Sequence, residues 1–288
     1  MTQAGTWQAM GRNVLVPGRT AIMGILNVTP DSFSDGGRFV DPDQAVVRAL
    51  AMVEEGADII DVGGESTRPG ADPVSIEEEI RRVVPVIARL SHQSDVLISV
   101  DTRRAPVACN ALAAGAHIVN DVSGLGHDRE MAAAIRAFDA GLVLMHMQGQ
   151  PRTMQDQPRY EDVVGEVGSF LAGQVARAIA SGIPAERIAV DPGIGFGKTL
   201  DHNLELLRAL PQLAAATGRP LLLGVSRKRW IGQITGREVD DRLAGSLAAL
   251  AWCIQQGARI IRVHDVKESC DAARLVDRLK STEGMECR

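Results

Sequence analysis

Aromatic residues are scarce in this sequence: they make up 3% of its 288 residues, although hydrophobic residues as a whole make up 45%. A core of this composition must consist mainly of Ala, Val, Leu and Ile, which suits short strands buried on both faces and helices with small side chains. A chain of this length can bury a large core, and about 250 residues is typical of one α/β barrel. The composition therefore favours a globular α/β protein.

Features of several other protein classes are also lacking. No stretch approaches the roughly 18 consecutive apolar residues of a membrane span, and the first twenty residues show neither the apolar segment nor the cleavage site of a signal peptide. The four cysteines are dispersed without a CxxC pair, which is typical of reduced thiols. The net charge is −5 and no basic stripe is visible. We therefore expect a cytoplasmic protein that binds neither nucleic acid nor membranes.

Eight short apolar runs recur along the chain, separated by segments with helical spacing. The runs are rich in Ile, Val and Leu without polar alternation, as expected of strands that are buried on both faces. Several helical segments end in Gly just before the next run, which is the joint that an alternating βα chain requires. Eight βα units without a linker predict a single (β/α)₈ TIM barrel over residues 1–288, with its core at about 20–280. The runs are 21–27, 58–65, 96–102, 117–124, 141–147, 188–195, 220–226 and 259–265.

Each apolar run finishes in polar residues. In a barrel these strand ends all lie on one rim, which is the face where barrel enzymes place their active sites. Polar strand ends also cap helices and fill barrel layers, so one of them alone carries little weight, but their repetition in all the runs favours a functional site. They are Asn27, Asp61 with Glu65, Asp101, Asn120 with Asp121, His146, Asp191, Ser226, and Arg262 with His264 and Asp265.

Three junctions are rich in glycine. Those at residues 27–39 and 63–73 also contain Pro, Ser and Asp, and we expect them to fold over a ligand. The third, DPGIGFGKT at 191–199, resembles a phosphate-binding loop, but the P-loop pattern requires Gly at Pro192 and the dinucleotide pattern requires Gly at Lys198. We therefore reject nucleotide binding through either motif and expect these glycines to let the backbone pass close to a flat ligand.

Taken together, these junctions resemble those of the dihydropteroate synthase family. The matching pieces run from residue 23 to residue 266 in the family's order, and no family motif is missing. The resemblance implies a homodimer that condenses hydroxymethyl-dihydropterin pyrophosphate with p-aminobenzoate, giving dihydropteroate and pyrophosphate in folate biosynthesis, with Mg²⁺ assisting. The pieces are MGILNVTPDSFSDGG, DIIDVGGESTRPGA, ISVDT, IVNDVSG, LMHMQGQP, DPGIGFGKT, GVSRK and RVHDV.

The resemblance also implies which residues hold the pterin. Asp191 matches the residue whose carboxylate accepts two in-plane N–H groups of the ring, which is a strong and directional contact. Asn120 has both a donor and an acceptor for a mixed edge, and Lys228 is expected to donate near the pterin carbonyl. The remaining pterin contacts are expected to be Asp101 near the ring nitrogens, Arg262 stacked on the ring face, and Met145 and Phe196 as apolar walls.

Catalysis is assigned by the same resemblance to Asp101, Lys228, Arg262 and His264. Arg262 and His264 lie two residues apart on one strand and therefore point to the same side, where with Asn27 they match the family's pyrophosphate and magnesium region. One Asn oxygen and the substrate's phosphates suffice for Mg²⁺, which keeps several waters. We expect pyrophosphate to leave first, with Asp101 stabilising the resulting cation electrostatically.

The p-aminobenzoate pocket is expected on the two long loops and at the start of one helix. The loops would shield the cation from water, and the helix after Ser226 would meet the carboxylate through its N-terminal N–H groups. The residues assigned to this pocket are Phe33, Thr67, Arg68, Pro69 and Ser226.

Two other functions stay open at this stage. A pterin-dependent methyltransferase that serves a corrinoid cofactor has a similar barrel and needs no pyrophosphate site, whereas NVTPDSFSDGG, SRK and RVHD favour a pyrophosphate leaving group. A binding homologue without turnover is the second alternative, although no polar motif has been lost. Detection of pyrophosphate release separates the synthase from both.

Overall fold

The computed structural model describes residues 6–29, 41–65, 74–149 and 153–281. Within these residues a short antiparallel hairpin, β1 (Gln8–Ala9) and β2 (Arg12–Asn13), precedes eight strands that pair in parallel. The sheet order is β8-β7-β6-β5-β4-β3-β10-β9, and a parallel bridge between Val190 and Leu221 joins its two ends. The predicted TIM barrel is therefore confirmed. Its strands are β3 (Ala21–Asn27), β4 (Ile59–Gly63), β5 (Leu97–Asp101), β6 (Ile118–Asp121), β7 (Gly141–Met145), β8 (Ile188–Asp191), β9 (Leu222–Leu223) and β10 (Ile260–Val263).

Helices follow the strands and cover the outside of the barrel. Several begin at residues that suit an N-cap: the Ser75 hydroxyl accepts from the Glu78 backbone N–H at 3.2 Å, and Thr199 with His202 forms a capping box. The helices of the described residues are α1 (Pro42–Glu54), α2 (Ile76–Gln93), α3 (Ala105–Ala113), α4 (Met131–Ala137), α5 (Val163–Ala180), α6 (Leu200–Arg208), α7 (Leu210–Thr217), α8 (Arg229–Thr235), α9 (Leu243–Gln255) and α10 (Val266–Lys280).

Alternate residues of each strand point into the barrel, because side chains in a strand change face at every residue. At the end where the strands begin, these inward residues form one apolar cluster with the N-terminal hairpin, whose Trp7 is fully buried and donates from Nε1 to the Arg187 carbonyl at 3.0 Å. The hairpin therefore closes the N-terminal end of the barrel. The strand residues of this cluster are Ala21, Met23, Ile59, Leu97, Ile118, Val143, Ala189, Leu222 and Ile260.

The larger core lies between the strands and the helices, and it explains the apolar character of α5. Within the described residues, α5 is the helix long and apolar enough to cross a membrane by length and mean hydropathy. It packs against β7 and α7, however, and its buried face includes Val167, Leu171 and Val175, while Glu166 and Arg177 interrupt the apolar sequence. Its composition is therefore that of a helix that covers a barrel.

Candidate active site

Moving two or four residues along these strands from the apolar cluster reaches polar residues that therefore also face the barrel interior, namely Asn27, Asp61, Asp101, Asn120, Asp191 and Arg262. Neighbouring strands bring them side by side: Asn27 pairs with Gly63, Gly63 with Asp101, and Asp101 with Asn120. Met145 and Asp191 face each other in the same way on β7 and β8. The structure thus brings these sequence-predicted residues together at the mouth where the strands end.

Arg262 is the central cation of this mouth. Its Nε donates to Asp61 Oδ2 at 2.6 Å, and its Nη2 donates to Asp101 Oδ2 at 2.9 Å. Burial opposes the charge of Arg262, but Asp61 and Asp101 outweigh it, and the pKa of the guanidinium lies above its ordinary value. Burial raises the pKa of Asp101 to about 7, with Arg262 lowering it and Asp61 raising it. The two carboxylates therefore fix the edge of the guanidinium, and in doing so they set the direction in which its flat face points.

Asp61 was not among the site residues predicted from the sequence, although it was recognised as a polar strand end. It is fully buried, and besides Arg262 it binds Asn120, whose Nδ2 donates to Asp61 Oδ2 at 3.1 Å. Asp61 lies two residues after Ile59 on β4, and both side chains therefore point into the barrel. This spacing is the signal in the sequence that could have identified Asp61 as a site residue.

Asp191 lies at the end of β8, where the glycine-rich loop starts. Its Oδ1 accepts from the Gly193 backbone N–H at 2.7 Å, so the carboxylate and the loop hold each other in place. Burial raises the pKa of Asp191 to about 6, against the lowering effect of Gly193, Lys228, Lys198 and Arg262. At neutral pH the carboxylate is therefore mostly ionised and has acceptor capacity left for a ligand.

Lys228 lies over the ring of Phe196, with Nζ 4.1 Å from the ring centroid, in a cation–π contact. Burial lowers the pKa of Lys228 to about 8, while Asp191 and Asp101 favour its charged form. Gly195 makes this approach possible, because a Cβ there would lie 3.3 Å from Lys228 Cδ and its φ is +86°. The two residues thus form one wall of the mouth next to Asp191.

Lys198 is a second residue that the sequence prediction missed; it was noted only because it breaks the dinucleotide motif. It is 3% exposed, and its ammonium donates to Gly193 O at 3.0 Å, to Phe196 O at 2.9 Å and to His146 Nδ1 at 3.0 Å. Burial lowers the pKa of Lys198 to about 7 and that of His146 to about 3, so the imidazole is neutral and accepts. Lys198 therefore ties the glycine-rich loop to the end of β7.

His264 and Ser226 contact each other at the ends of β10 and β9. The Ser226 hydroxyl accepts from the His264 backbone N–H at 3.2 Å and lies 3.1 Å from Nδ1. Burial, reinforced by Arg262 and Arg227, lowers the pKa of His264 to about 4, so its imidazole is neutral at physiological pH. Helix α8 begins at Arg229 with Lys228 as its N-cap, two residues later than Ser226. Ser226 thus contacts His264, and α8 begins after it.

Three polar strand ends do not face the barrel interior. Asp121 binds the backbone of the loop that follows it, accepting from Ser123 N at 2.8 Å and Leu125 N at 2.7 Å. The other two pair outside the mouth: Glu65 accepts from Arg104 Nη2 at 3.0 Å, and Asp265 accepts from Arg227 Nε at 3.0 Å. These three carboxylates therefore hold neighbouring residues in place, which is the structural role that a polar residue at a strand end can have instead of a functional one.

Asn27 is the residue predicted to hold magnesium. Within the described residues there is no group of three or more His, Cys, Asp or Glu side chains able to hold a metal. Gly63 leaves space beside Asn27, since a Cβ there would lie 3.8 Å from Asn27 Oδ1 and 3.9 Å from Asp101 Oδ2. A single amide oxygen in an open position fits an ion that the phosphates of a ligand hold in large part.

Four of the predicted p-aminobenzoate residues lie outside the described residues. These are Phe33, Thr67, Arg68 and Pro69. The fifth residue assigned to this pocket, Ser226, lies within the described residues.

Comparison with known proteins identifies relatives over almost the whole chain. Residues 23–264 match the family described as pterin binding enzyme. The dihydropteroate synthase of Neisseria meningitidis serogroup C is 51% identical over 269 residues, which is 92% of this chain and 94% of the relative. That of Escherichia coli K12 is 50% identical over 258 residues, or 89% and 90% of the two chains. The structure of Xanthomonas albilineans dihydropteroate synthase with 4-aminobenzoic acid is 45% identical, covering 96% of this chain and 99% of that one with a TM-score of 0.88.

Proposed function

This chain belongs to the pterin-binding enzyme family and is a dihydropteroate synthase. From this premise, we propose a role in the reaction for each residue at the mouth. It condenses 6-hydroxymethyl-7,8-dihydropterin pyrophosphate with p-aminobenzoate to give 7,8-dihydropteroate and pyrophosphate. The observation that carries the assignment of roles is the convergence of Asp101, Asn120, Asp191, Lys228 and Arg262 on one mouth of the barrel.

The pterin ring is bound between Asp191, Asn120 and Lys228. The free oxygen of Asp191 accepts the N–H groups of the ring, Asn120 meets the neighbouring edge, and Lys228 donates to the carbonyl region. Phe196 and Met145 supply apolar walls, and the guanidinium face of Arg262 stacks on the ring. Support comes from the contact of Lys228 with Phe196 and from the carboxylates that fix the guanidinium edge.

The diphosphate is held at the ends of β3 and β10, by Asn27, Arg262 and His264. The Ser226 hydroxyl lies 3.1 Å from His264 Nδ1, and we assign it the role of donor. This assignment places the imidazole proton on Nε2, where it serves a phosphate oxygen. Asn27 supplies one oxygen for Mg²⁺, which fits the space left by Gly63. When bound, the ion neutralises the charge of the leaving diphosphate.

The reaction proceeds by ionisation before attack. The bond between the methylene carbon and the diphosphate oxygen breaks, the diphosphate keeps the electron pair, and the cation left on the methylene is delocalised over the dihydropterin ring. Asp101 stabilises that cation when its carboxylate is ionised. The amine of p-aminobenzoate then attacks the methylene carbon and forms the new C–N bond, and the nitrogen passes one proton to water. A cationic acceptor suits this weak nucleophile.

The second substrate is assigned to Phe33, Thr67, Arg68 and Pro69 with the region of Ser226. Arg68→Ala is expected to raise the KM for p-aminobenzoate and leave the affinity for the pterin unchanged. Steady-state titration of each substrate measures both, and an effect confined to the pterin would refute this assignment.

A pyrophosphate-release assay tests the order of events. Rapid-quench measurements with the pterin substrate and Mg²⁺, with and without p-aminobenzoate, are expected to show a burst of pyrophosphate without the second substrate. Release that strictly requires p-aminobenzoate would contradict ionisation before attack.

We also propose that the chain is cytoplasmic, that residues 1–288 form one domain, and that it assembles as a homodimer. The dimer surface is the apolar groove between α6, α8 and α9, which is lined by Leu204, Leu207, Trp230, Ile231 and Trp252 among others. Trp252 is 46% exposed and Ile234 55%, which is unusual for such large apolar side chains on one surface. In analytical ultracentrifugation, Trp252→Glu is expected to shift a dimer to monomer, whereas Leu279→Glu, on α10, is not.

A further inference from the structure

Asp61 is the buried acid of the site to which the proposed reaction gives no direct task. Its Oδ2 accepts from two site residues at once, Arg262 Nε at 2.6 Å and Asn120 Nδ2 at 3.1 Å. We propose that Asp61 is a positioning residue that fixes the order of donor and acceptor which Asn120 presents to the ring, and so sets the class of heterocycle that the site accepts. This inference rests on the proposed contact between Asn120 and the pterin.

The carboxylate leaves Asn120 a single orientation. An ionised carboxylate only accepts hydrogen bonds, so the atom of Asn120 that faces it must be the NH₂ group. Arg262 Nε donates to the same Oδ2 atom, so this oxygen already acts as an acceptor. If the amide turned over, its carbonyl oxygen would be buried against a carboxylate oxygen, because Asn120 is only 4% exposed. Asp61 therefore takes one N–H of Asn120, and the second N–H and the carbonyl stay fixed for a ligand.

The hydrogen bonds of Asp61 serve the site and not the barrel. Within the described residues, Asp61 Oδ1 has no hydrogen-bond partner, and neither does the Ser99 hydroxyl beside it on β5, although both atoms are buried. A buried carboxylate that is incompletely bonded costs stability. Because Asp61 Oδ2 accepts from Arg262 and Asn120, two groups at the mouth, the carboxylate is kept for what it does to them.

The fixed order of donor and acceptor selects one kind of ring edge. The Asn120 carbonyl accepts from an exocyclic amino group, and its remaining N–H donates to the unprotonated ring nitrogen beside that group. An aminopyrimidine edge, as in a pterin, has this pattern. The corresponding 2,4-dioxopteridine has it inverted, with a carbonyl in place of the amino group and an N–H in place of the ring nitrogen.

The test compares 6-hydroxymethylpterin with its 2,4-dioxo analogue by calorimetric titration of the whole protein. The readout is the ratio of the two dissociation constants, which we expect to favour the pterin by roughly 100-fold or more in the unmutated chain. Asp61→Leu and Asp61→Ala remove the acceptor and free the amide, so the ratio should fall by about tenfold, the scale of one hydrogen bond. Asp61→Asn keeps an acceptor oxygen towards Arg262 and Asn120, and should stay within roughly threefold of the original ratio.

Asp121→Asn is the matched control. Asp121 is equally buried and adjoins Asn120 in sequence, but its carboxylate accepts from Ser123 and Leu125 in the following loop, so this change should lower stability and leave the ratio unchanged. Equal weakening of both ligands in the Leu and Ala variants, with the ratio intact, would overturn the role of Asp61. An unmutated chain without preference for the pterin would instead overturn the proposed pterin contacts themselves.

Neutron diffraction decides the orientation without any variant, should the Leu and Ala variants not fold. Two deuterium atoms on the Asn120 atom that faces Asp61 would support the inference. An oxygen in that position would overturn it.

Discussion

The two ends of the barrel interior contain different side chains on the same strands. Where the strands begin, the inward residues are apolar and pack around Trp7. On five strands, β4, β5, β6, β8 and β10, the inward residue two positions further along is polar or charged, and Arg262 on β10 binds Asp61 and Asp101. On β4, β5, β6 and β10 the pairs are Ile59 with Asp61, Leu97 with Ser99, Ile118 with Asn120, and Ile260 with Arg262.

The difference separates stability from chemistry within one fold. The apolar end gains free energy from the burial of its inward side chains. The polar end holds buried charges whose desolvation is only partly offset, as the raised pKa of Asp101 shows. Changes at one end should therefore alter unfolding, and changes at the other should alter binding and turnover.

The largest effect is expected from Arg262→Met. This change removes the cation that is proposed to stack on the pterin and hold the diphosphate, and it takes a hydrogen bond from both Asp61 and Asp101, so kcat/KM should fall by roughly 10²–10³-fold. Asp101 would also lose the cation that lowers its pKa and would hold its proton at neutral pH. Steady-state kinetics with pyrophosphate detection measures the loss.

Ile260→Val, two residues earlier on the same strand, is the control for Arg262→Met. It should cost about 0.5–1.5 kcal/mol of unfolding free energy and leave kcat/KM unchanged. A similar loss of activity in both variants would show that the two ends of the barrel are not separable.

Trp7→Ala should produce the largest effect on stability at the apolar end. The side chain is fully buried, and its removal should lower the free energy of unfolding by about 3–5 kcal/mol, measured by urea denaturation. The KM values of the folded fraction should stay unchanged, because the hairpin lies at the opposite end from the mouth. A changed pterin KM would contradict the division.

Asp191→Asn should have a smaller effect, confined to the mouth. The amide oxygen can still accept from Gly193, so the fold should persist, while pterin affinity falls by about 1.5–3 kcal/mol because the charged acceptor is lost. Calorimetric titration with the pterin measures this change. Unchanged affinity would remove Asp191 from the pterin site.

The sequence was sufficient to predict the barrel and most of its mouth. The run 21–27 coincides with β3, and the strands of the other runs also end at or near the polar residues, because a parallel strand buried on both faces leaves an apolar pattern with sharp ends. The alternation of side chains then places Asp101, Asn120, Asp191 and Arg262 inside. These positions follow from local periodicity and the rule that strand ends share one rim.

Asp61 and Lys198 could not be assigned in the same way. Their tasks depend on contacts with residues far along the chain, Asp61 with Arg262 and Lys198 with His146, and no local pattern encodes such pairs. The contact of Ser226 with His264 is of the same kind: the hydroxyl lies 3.1 Å from Nδ1 of a residue 38 positions further along the chain, and no local pattern indicated it.

A change of pH alters the molecule less than any substitution. The pH dependence of kcat/KM should therefore sharpen the comparison between the two ends of the barrel. Burial raises the pKa of Asp101 to about 7 and that of Asp191 to about 6, and both act as carboxylates, so activity should fall as the pH drops through these values. Burial lowers the pKa of Lys228 to about 8, so activity should also fall as the pH rises above it. His264, with a pKa of about 4, stays neutral throughout and adds no limb.

Lys228→Arg isolates the alkaline limb. A guanidinium keeps its charge far above pH 8 and can still lie over the Phe196 ring, so the alkaline limb should move upward while the acid limb stays in place. Trp7→Ala, at the apolar end, should keep both limbs, because no titrating group of the mouth changes its surroundings. An alkaline limb that remains near pH 8 in Lys228→Arg would mean that another group titrates there, and Lys198, behind the glycine-rich loop, would then be the residue to change next.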